Sequence, residues 1–357
     1  MKLNNRIYIL DILRIISAIW VVVVHTIAWW LHSFSLWSIQ WRIVNMIEGF
    51  WHRSVPVFLM LTGIFLLRDD KLDEDPLIFY QTRLTKVIVP FIICVFAFLW
   101  FDYFVVWKSI DIYHIFSNFI NVWYSYHLRY ILIIIWLYII IPFMRILVKY
   151  DKDHKDIKEW SVRILYLYIY IRIWFKIINQ ILINIIGVPW AATSSWFLWY
   201  DGLVIIWYCI RYDKFIINKI WLRWSILLYF IAAIFTVLAT GALSIYSWSM
   251  NDLFYQNNTP NVLAMSIALI CIARYFYDNL NLPDRYIYII RKLSKTSFGV
   301  YLYHPIFIYI YDLIFHELWI SYWYNLILTA TFSVISVRSF VHIIQKTSIW
   351  KKILPET

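Results

Sequence analysis

Charged residues and glycine are both scarce in this sequence of 357 residues. Asp, Glu, Lys and Arg make up 15% of the chain, against roughly 25% in soluble proteins, and there are six glycines. Hydrophobic residues reach 63%, and they occur in long runs. This composition excludes an ordinary soluble globular domain. It indicates an all-α transmembrane helical bundle that crosses the bilayer many times.

Cysteine is scarce as well. Cys94, Cys209 and Cys271 lie within apolar runs, without the spacing of a zinc site or of a disulfide framework. No glycine-rich phosphate loop, zincin helix or nucleophile elbow occurs either. We therefore expect no metal, no bound cofactor and no disulfide. Because internal repeats and low-complexity linkers are also missing, the sequence predicts one membrane-embedded domain over residues 1–357.

Ten apolar segments are predicted to span the membrane as helices. Their approximate bounds are 7–30, 50–67, 87–107, 128–148, 162–183, 195–210, 224–246, 260–277, 297–315 and 322–344. Short cytoplasmic loops are enriched in Lys and Arg, so the distribution of these residues orients the chain. With the N-terminus inside, 24 of the 32 lie in cytoplasmic segments and four in external ones. Both termini are therefore predicted to be cytoplasmic.

The net charge of +11 has two interpretations. A strongly basic chain can bind nucleic acid, but a membrane protein also becomes basic by keeping its cations in cytoplasmic loops. The loop distribution favours the second interpretation. We expect the lipid bilayer as a partner and no nucleic acid.

The first predicted span carries three ionisable residues, Asp11, Arg14 and His25. At ~100° per residue, Arg14 and His25 point within about 20° of each other, and Asp11 lies about 40° from His25. They therefore share one helix face, with Arg14 and His25 roughly 16 Å apart along the axis. Each intramembrane charge costs ~2.5–3.5 kcal/mol on insertion scales, so this face is expected to line the bundle interior or a cavity.

Each of these residues has a structural and a functional interpretation. Asp11 and Arg14 can form an i,i+3 ion pair near the interface, or Arg14 can bind a phosphate or carboxylate that enters from the cytoplasm. His25 can hydrogen-bond a neighbouring helix, or it can act as a general base, since an unperturbed histidine has a pKa near ~6.5.

Polar groups occur at membrane depth in several later segments. Arg53, beside His52, is placed at the outer end of the second span, as an anchor or as a substrate contact. Arg83 and Lys86 lie one helical turn apart at the start of the third span, where they suit either topology or phosphate binding. The other polar residues considered are His127 before the fourth span, Asp201 in the sixth, and Tyr301 and His304 in the ninth. Because Pro305 follows His304, a local helix break is expected there.

Five segments, in this order, resemble the integral-membrane acyltransferase-3 family. They are Leu10-Asp-Ile-Leu-Arg14 followed by His25; Val55-Pro-Val-Phe-Leu-Met-Leu-Thr-Gly63; Arg83-Leu-Thr-Lys86 with Pro90; His127-Leu128 leading to Pro142; and Ser297-Phe-Gly-Val-Tyr-Leu-Tyr-His304. The resemblance covers essentially the whole chain.

The resemblance implies a bacterial inner-membrane enzyme that transfers an acyl group, usually acetyl, from cytoplasmic acyl-CoA. The acceptor would be a hydroxyl of a cell-surface glycan or of a lipid-linked saccharide. Within the family the first-span histidine is regarded as catalytic, which corresponds to His25, and the preceding arginine, here Arg14, is associated with acyl-CoA. Arg83 and Lys86 would help to bind the donor, and Asp11, Arg53, His127, Tyr301 and His304 would have supporting or acceptor-side roles.

Two positions depart from the family pattern. Lys86 stands where a second arginine is usual, which keeps the charge but loses the bidentate guanidinium. Arg129 stands where an aromatic residue is common after His-Leu. Both departures bear on how the substrates are held.

Two other classes of function are compatible with the same residues. A proton-coupled exporter or polysaccharide flippase would also place ionisable groups within its spans, although the two halves of this chain show no internal symmetry. A membrane-anchored sensor or assembly subunit would need no catalytic residue. In that case, replacing His25 by alanine would leave the phenotype intact.

Overall fold

The computed structural model describes residues 8–68, 71–106, 128–153, 219–257, 259–318 and 321–346. Within these ranges every regular element is a helix. The α-helices are α1 (Tyr8–Ser33), α2 (Ile39–Trp51), α3 (Ser54–Leu66), α4 (Pro76–Phe104), α5 (Arg129–Asp153), α6 (Lys219–Tyr246), α7 (Pro260–Asn279), α8 (Asp284–Ser294), α9 (Ser297–Glu317) and α10 (Tyr322–Lys346). A short 3₁₀ turn at Leu253–Tyr255 precedes α7.

Helix α1 lies at the centre of the described bundle. It packs against α2, α3, α7, α8, α9 and α10. Its buried residues recur at helical spacing, as Leu10, Leu13, Ser17, Val21 and Val24 show. Small buried residues such as Ser17 let neighbouring helices approach closely, which favours van der Waals packing in a bilayer. The helix with the unusual charges is therefore also the one that packs against six of the other described α-helices.

The second span differs from its predicted bounds. Helices α2 and α3 together form one apolar stretch, Ile39–Leu66, long enough to cross a membrane, whereas the predicted span was 50–67. Polar residues in α2, including Asn45 and Glu48, lowered its hydropathy and hid it from a search for apolar runs. The α-helix is interrupted at His52 and Arg53, so Arg53 lies near the midpoint of this apolar stretch and not at its end. Its place relative to the outer face of the membrane remains a prediction.

Most other predicted spans overlap described helices. Seven stretches within the described ranges are helical, long and apolar enough to cross a membrane, and Tyr130–Ile146 is a shorter apolar helix. The predicted spans 162–183 and 195–210, together with Asp201, lie outside the described residues. The total of about ten spans and the cytoplasmic termini remain predictions.

Arg145 in α5 joins the end of α3 to the start of α4. Arg145 of α5 is buried, and its Nε donates a hydrogen bond of 3.0 Å to the carbonyl oxygen of Leu66 at the end of α3. Its Nη2 donates to Glu74 Oε2 at 3.0 Å, and its guanidinium lies 4.4 Å from the ring centroid of Phe79 in α4. Asp75 caps the start of α4 by accepting from two backbone N–H groups. Arg145 thus links the end of α3 to Glu74, just before α4.

Candidate active site

A cavity of about 880 Å³ opens between the helices at the end of the bundle where α1 begins. We call it the deep cavity and define it by the residues that line it. They are Arg14, Phe58, Thr62, Arg83, Lys86, Val87, Tyr130, Ile134, Tyr138, Ser294, Lys295, Phe298, Gly299, Tyr301 and Gln345. Arg14, Arg83 and Lys86, which the resemblance associates with one ligand, therefore line the same space.

Arg14 is held by contacts on two sides. Its Nη1 lies 3.9 Å from Asp11 Oδ1, one turn earlier, and its guanidinium lies 4.4 Å from the ring centroid of Phe65. Asp11 is buried, and Oδ1 also accepts a hydrogen bond of 2.7 Å from Ser294 Oγ. The predicted i,i+3 pair is therefore present, and it is tied to the junction between α8 and α9. Arg14 nevertheless lines the cavity, and a fifth of its side chain is exposed.

Arg83 and Lys86 reach the cavity from α4, where they lie one helical turn apart. The Nε of Arg83 is buried and has no hydrogen-bond partner among the described residues. A guanidinium N–H buried in this way is costly unless something accepts its hydrogen bond. The cavity therefore presents an anion-binding group from α4 opposite the one from α1.

Aromatic rings connect the deep cavity to His25. Tyr301 lines the cavity, and its ring centroid lies 4.8 Å from that of Tyr130 and 5.9 Å from that of His304. The ring of His304 in turn stacks on that of His25, with centroids 5.1 Å apart and planes at 19°. The ring of His304 thus lies between His25 and Tyr301, which lines the cavity.

The protonation of His304 follows from its hydrogen bonds. Its Nδ1 lies 2.7 Å from the carbonyl oxygen of Tyr301 and 3.2 Å from that of Val300. Carbonyl oxygens only accept, so Nδ1 carries a proton and donates. Pro305 has no backbone N–H to donate to Tyr301, and the His304 ring replaces that missing bond. Helix α9 therefore continues through Pro305, and the expected local break is wrong.

A second group of buried polar residues lies between α2, α6 and the 3₁₀ turn. Nδ1 of His52 is 2.6 Å from Glu48 Oε1, and the His52 ring stacks on Tyr255 at a centroid distance of 5.6 Å. Tyr255 donates from its hydroxyl to Asn45. The i,i+4 spacing of Glu48 and His52 was a signal for this pair in the sequence, which the prediction of an external loop obscured.

Arg53 is not among the residues that line the deep cavity. Its fully buried guanidinium lies 4.9 Å from the ring centroid of Trp20 and 4.5 Å from that of Tyr229, and Nη1 donates to Met265 Sδ at 3.1 Å. These contacts place it against α6 and α7, whereas His25 stacks on α9. None of these three contacts involves His25 or His304.

One predicted site residue, His127, lies outside the described residues, and α5 begins at Arg129. Within the described part of the chain, no group of three His, Cys, Asp or Glu residues is arranged to hold a metal ion.

A second cavity of about 1090 Å³ adjoins the first, and we call it the mouth cavity. It shares Arg14, Thr62, Arg83, Tyr138 and Lys295 with the deep cavity. Its other lining residues are Asp11, Phe65, Leu66, Arg68, Lys71 and Arg291. In the sequence, Arg68, Lys71, Arg291 and Lys295 are four of the cytoplasmic cations that orient the chain. No local pattern showed that they meet.

The fold and the cavities define a multi-pass α-helical membrane protein with a basic cavity at one end of its central helix. The family model for the acyltransferase domain, acyltransferase-3, matches residues 7–338. The chain therefore belongs to the acyltransferase-3 family and is an acyltransferase. Neither the curated proteins nor the solved structures contain a match to it.

Proposed function

We propose that this enzyme transfers an acyl group, acetyl in the simplest case, from cytoplasmic acyl-CoA to a hydroxyl of a glycan or lipid-linked saccharide outside the bacterial cytoplasmic membrane. Both termini would face the cytoplasm. The main support is the convergence of Arg14, Arg83 and Lys86, from two helices far apart in sequence, on one cavity. Tyr301 lines the same cavity, its ring contacts that of His304, and His304 stacks on His25.

The basic lining of the deep cavity suits the phosphates of CoA. Guanidinium groups form charge-assisted hydrogen bonds to phosphate oxygens, and the buried Nε of Arg83 would gain an acceptor. Lys86 would contribute a point charge. Asp11 would position Arg14, because it contacts that side chain and lies far along the helix from His25.

The pantetheine arm has the length needed to reach His25. It consists of three amide-linked units of about 5 Å each when extended, or roughly 15 Å in all. Arg14 and His25 are separated by about 16 Å along α1. A diphosphate bound near Arg14 would therefore leave the thioester close to the stacked histidines.

Two routes of transfer remain compatible with this arrangement. In the direct route, His25 removes the proton from the acceptor hydroxyl, whose oxygen attacks the thioester carbonyl. The tetrahedral intermediate then expels the CoA thiolate, which takes the proton back from His25. In the other route His25 first accepts the acyl group, releasing CoA, and the acceptor hydroxyl then attacks the acyl-imidazole. Both routes yield one ester and one CoA thiol.

His304 and Tyr301 would support His25. Because Nδ1 of His304 donates to the Tyr301 carbonyl, the ring that stacks on His25 is held in a fixed orientation. Arg53 and His127 are proposed as acceptor-side residues on the strength of the family resemblance alone.

Replacing His25 by alanine tests the proposal. Inside-out vesicles that carry the wild-type enzyme and its glycan acceptor, supplied with labelled acetyl-CoA, should transfer label to the glycan, and the His25→Ala variant should not. His32→Ala is the matched control, because His32 lies on the same helix but is exposed. Mass spectrometry of surface glycans from cells with and without the gene would identify the acyl group and the acceptor.

Protein levels and membrane insertion must be equal in the three samples, because charged residues also affect topology. Full activity of the His25→Ala variant would reject His25 as base or nucleophile. Export of unmodified glycan, without label transfer by the wild type, would instead support the exporter or flippase.

A further inference from the structure

The mouth cavity is more basic than the proposed binding of a diphosphate requires. Six cationic side chains line it, together with one carboxylate, that of Asp11. Asp11 contacts Arg14 and Ser294 and also lies within electrostatic range of Arg291. Six cations and one carboxylate give the lining residues a net positive charge, which favours a ligand with several negative charges.

Three of these cations are separate from those assigned to the diphosphate. Arg68 and Lys71 belong to the segment between α3 and α4, and Arg291 belongs to α8. They line the mouth cavity but not the deep cavity. Because the two cavities share Arg14, Arg83 and Lys295, one extended ligand can occupy both.

The residues that flank Arg68 and Lys71 in the sequence are joined to α5. The buried side chain of Arg145 joins Leu66, which precedes this pair, to Glu74, which follows it. Lys149 reinforces the same junction through a contact of 2.6 Å with Asp73. Anchored flanking residues reduce the conformational entropy that Arg68 and Lys71 lose when they bind an anion.

The order of groups in CoA matches the order of the two cavities. With the acyl end directed to His25 and the diphosphate near Arg14, the nucleotide must extend toward the mouth. Besides the diphosphate, that nucleotide carries a 3′-phosphate, a monoester of about −1.5 to −2 charge at pH 7.

We infer that Arg68, Lys71 and Arg291 form a subsite for the 3′-phosphate of CoA, so that the enzyme selects CoA thioesters over thioesters of 3′-dephospho-CoA. This inference rests on the proposed use of acyl-CoA. The subsite lies at the far end of the donor from the reacting carbonyl. It therefore contributes to donor binding equally in the ground state and in the transition state, and acts on KM rather than on kcat.

Binding of two non-reacting ligands tests the subsite without depending on activity. Calorimetry on the purified full-length protein in phosphatidylcholine nanodiscs would compare CoA with 3′-dephospho-CoA. We expect the wild type to bind CoA about 10- to 100-fold more tightly, the range for losing one or two charge-assisted hydrogen bonds. Arg291→Gln and Lys71→Gln should each reduce that preference by weakening CoA binding and leaving 3′-dephospho-CoA unchanged.

Lys292→Gln is the matched control, because Lys292 is the exposed neighbour of Arg291 and does not line either cavity. This variant should keep the wild-type preference. Kinetics with acetyl-CoA and 3′-dephospho-acetyl-CoA should show the same preference in KM, with kcat retained in Arg291→Gln.

Equal affinity of the wild type for CoA and 3′-dephospho-CoA would overturn the subsite, while transfer from both donors would leave the proposed function intact. Failure of the wild type to bind either ligand would count against both. An anionic lipid headgroup is the other source of a phosphate monoester. In that case, the variants would alter binding of vesicles that contain phosphatidic acid and leave the CoA preference unchanged, which would also refute the inference.

Discussion

The contact between α9 and α10 at Gly299 is tight enough to predict the effect of one added methyl group. A Cβ at this position would lie 2.6 Å from both Cγ1 and Cγ2 of Val341. Ordinary contacts of this kind begin at 3.4 Å, so about 0.8 Å of clearance is missing. Val341 is fully buried, and a β-branched residue in a helix has one strongly preferred rotamer. The helices must therefore move apart in Gly299→Ala.

The expected cost is the difference between two opposing effects. Overpacking in a filled core costs about 1–3 kcal/mol, whereas alanine is favoured over glycine inside a helix by about 1 kcal/mol. A net destabilisation of roughly 0–2 kcal/mol follows. Activity should fall further, because Gly299 lines the deep cavity and lies on the helix that carries Tyr301 and His304. A displacement near 1 Å can cost roughly 100-fold in rate.

A double-mutant cycle with Val341→Ala isolates this effect. Val341→Ala alone should destabilise by about 1–3 kcal/mol through the cavity it leaves. In the double variant the new methyl group enters that cavity, so the two costs should partly cancel. Thermal unfolding in a fixed detergent and acyl transfer in vesicles would measure stability and activity.

The matched control is Gly241→Ala in α6. A Cβ there would lie 3.9 Å from Asn45 Nδ2, an ordinary contact, so the variant should be neutral or slightly stabilised. Costs of Gly299→Ala and Val341→Ala that add within about 0.5 kcal/mol would refute the packing argument.

Two further predictions concern buried hydrogen bonds. Arg145→Ala should destabilise the protein by about 3 kcal/mol and raise KM for the donor. The value is at the lower end for breaking a buried ion pair, because Glu74 is partly exposed. A melting temperature and a KM equal to those of the wild type would contradict this prediction. His304→Phe keeps a ring to stack on His25 but leaves the Tyr301 carbonyl without its Nδ1 donor, at a cost of about 1–3 kcal/mol. Adding Pro305→Ala restores a backbone N–H for that carbonyl and should recover stability but not activity. Equal melting temperatures of the His304→Phe single and double variants would show that the proposed hydrogen bond is not what stabilises α9.

The sequence by itself determined the class of protein and the contents of its central helix. Many apolar runs of about 20 residues are too long to be ordinary core helices and indicate membrane spans. The face on which a helical residue lies follows from spacing along one segment. For that reason, local spacing and hydropathy were enough to predict most of the span positions. They also predicted the shared face of Asp11, Arg14 and His25 and the pair Arg83 and Lys86. Family membership of the chain then agreed with the resemblance found in its motifs.

Hydropathy failed where polar residues lie inside a span. Helix α2 contains Asn45 and Glu48, which are buried because each has a hydrogen-bond partner on a neighbouring residue or helix. A search that scores residues independently cannot see such partners. It therefore started the second span at residue 50, eleven residues after Ile39, where the apolar stretch begins, and placed Arg53 at the end of that stretch instead of near its midpoint.

Only the tertiary structure decided which cations meet. Arg14, Arg83 and Lys86 lie on helices whose relative rotation and depth depend on packing between distant segments, and the same packing adds Arg68, Lys71, Arg291 and Lys295. In the sequence these four residues are indistinguishable from other loop cations. The stacking of His25 on His304 is likewise a contact between α1 and α9. Local spacing fixes the face on which a side chain lies, but long-range packing selects what that face contacts.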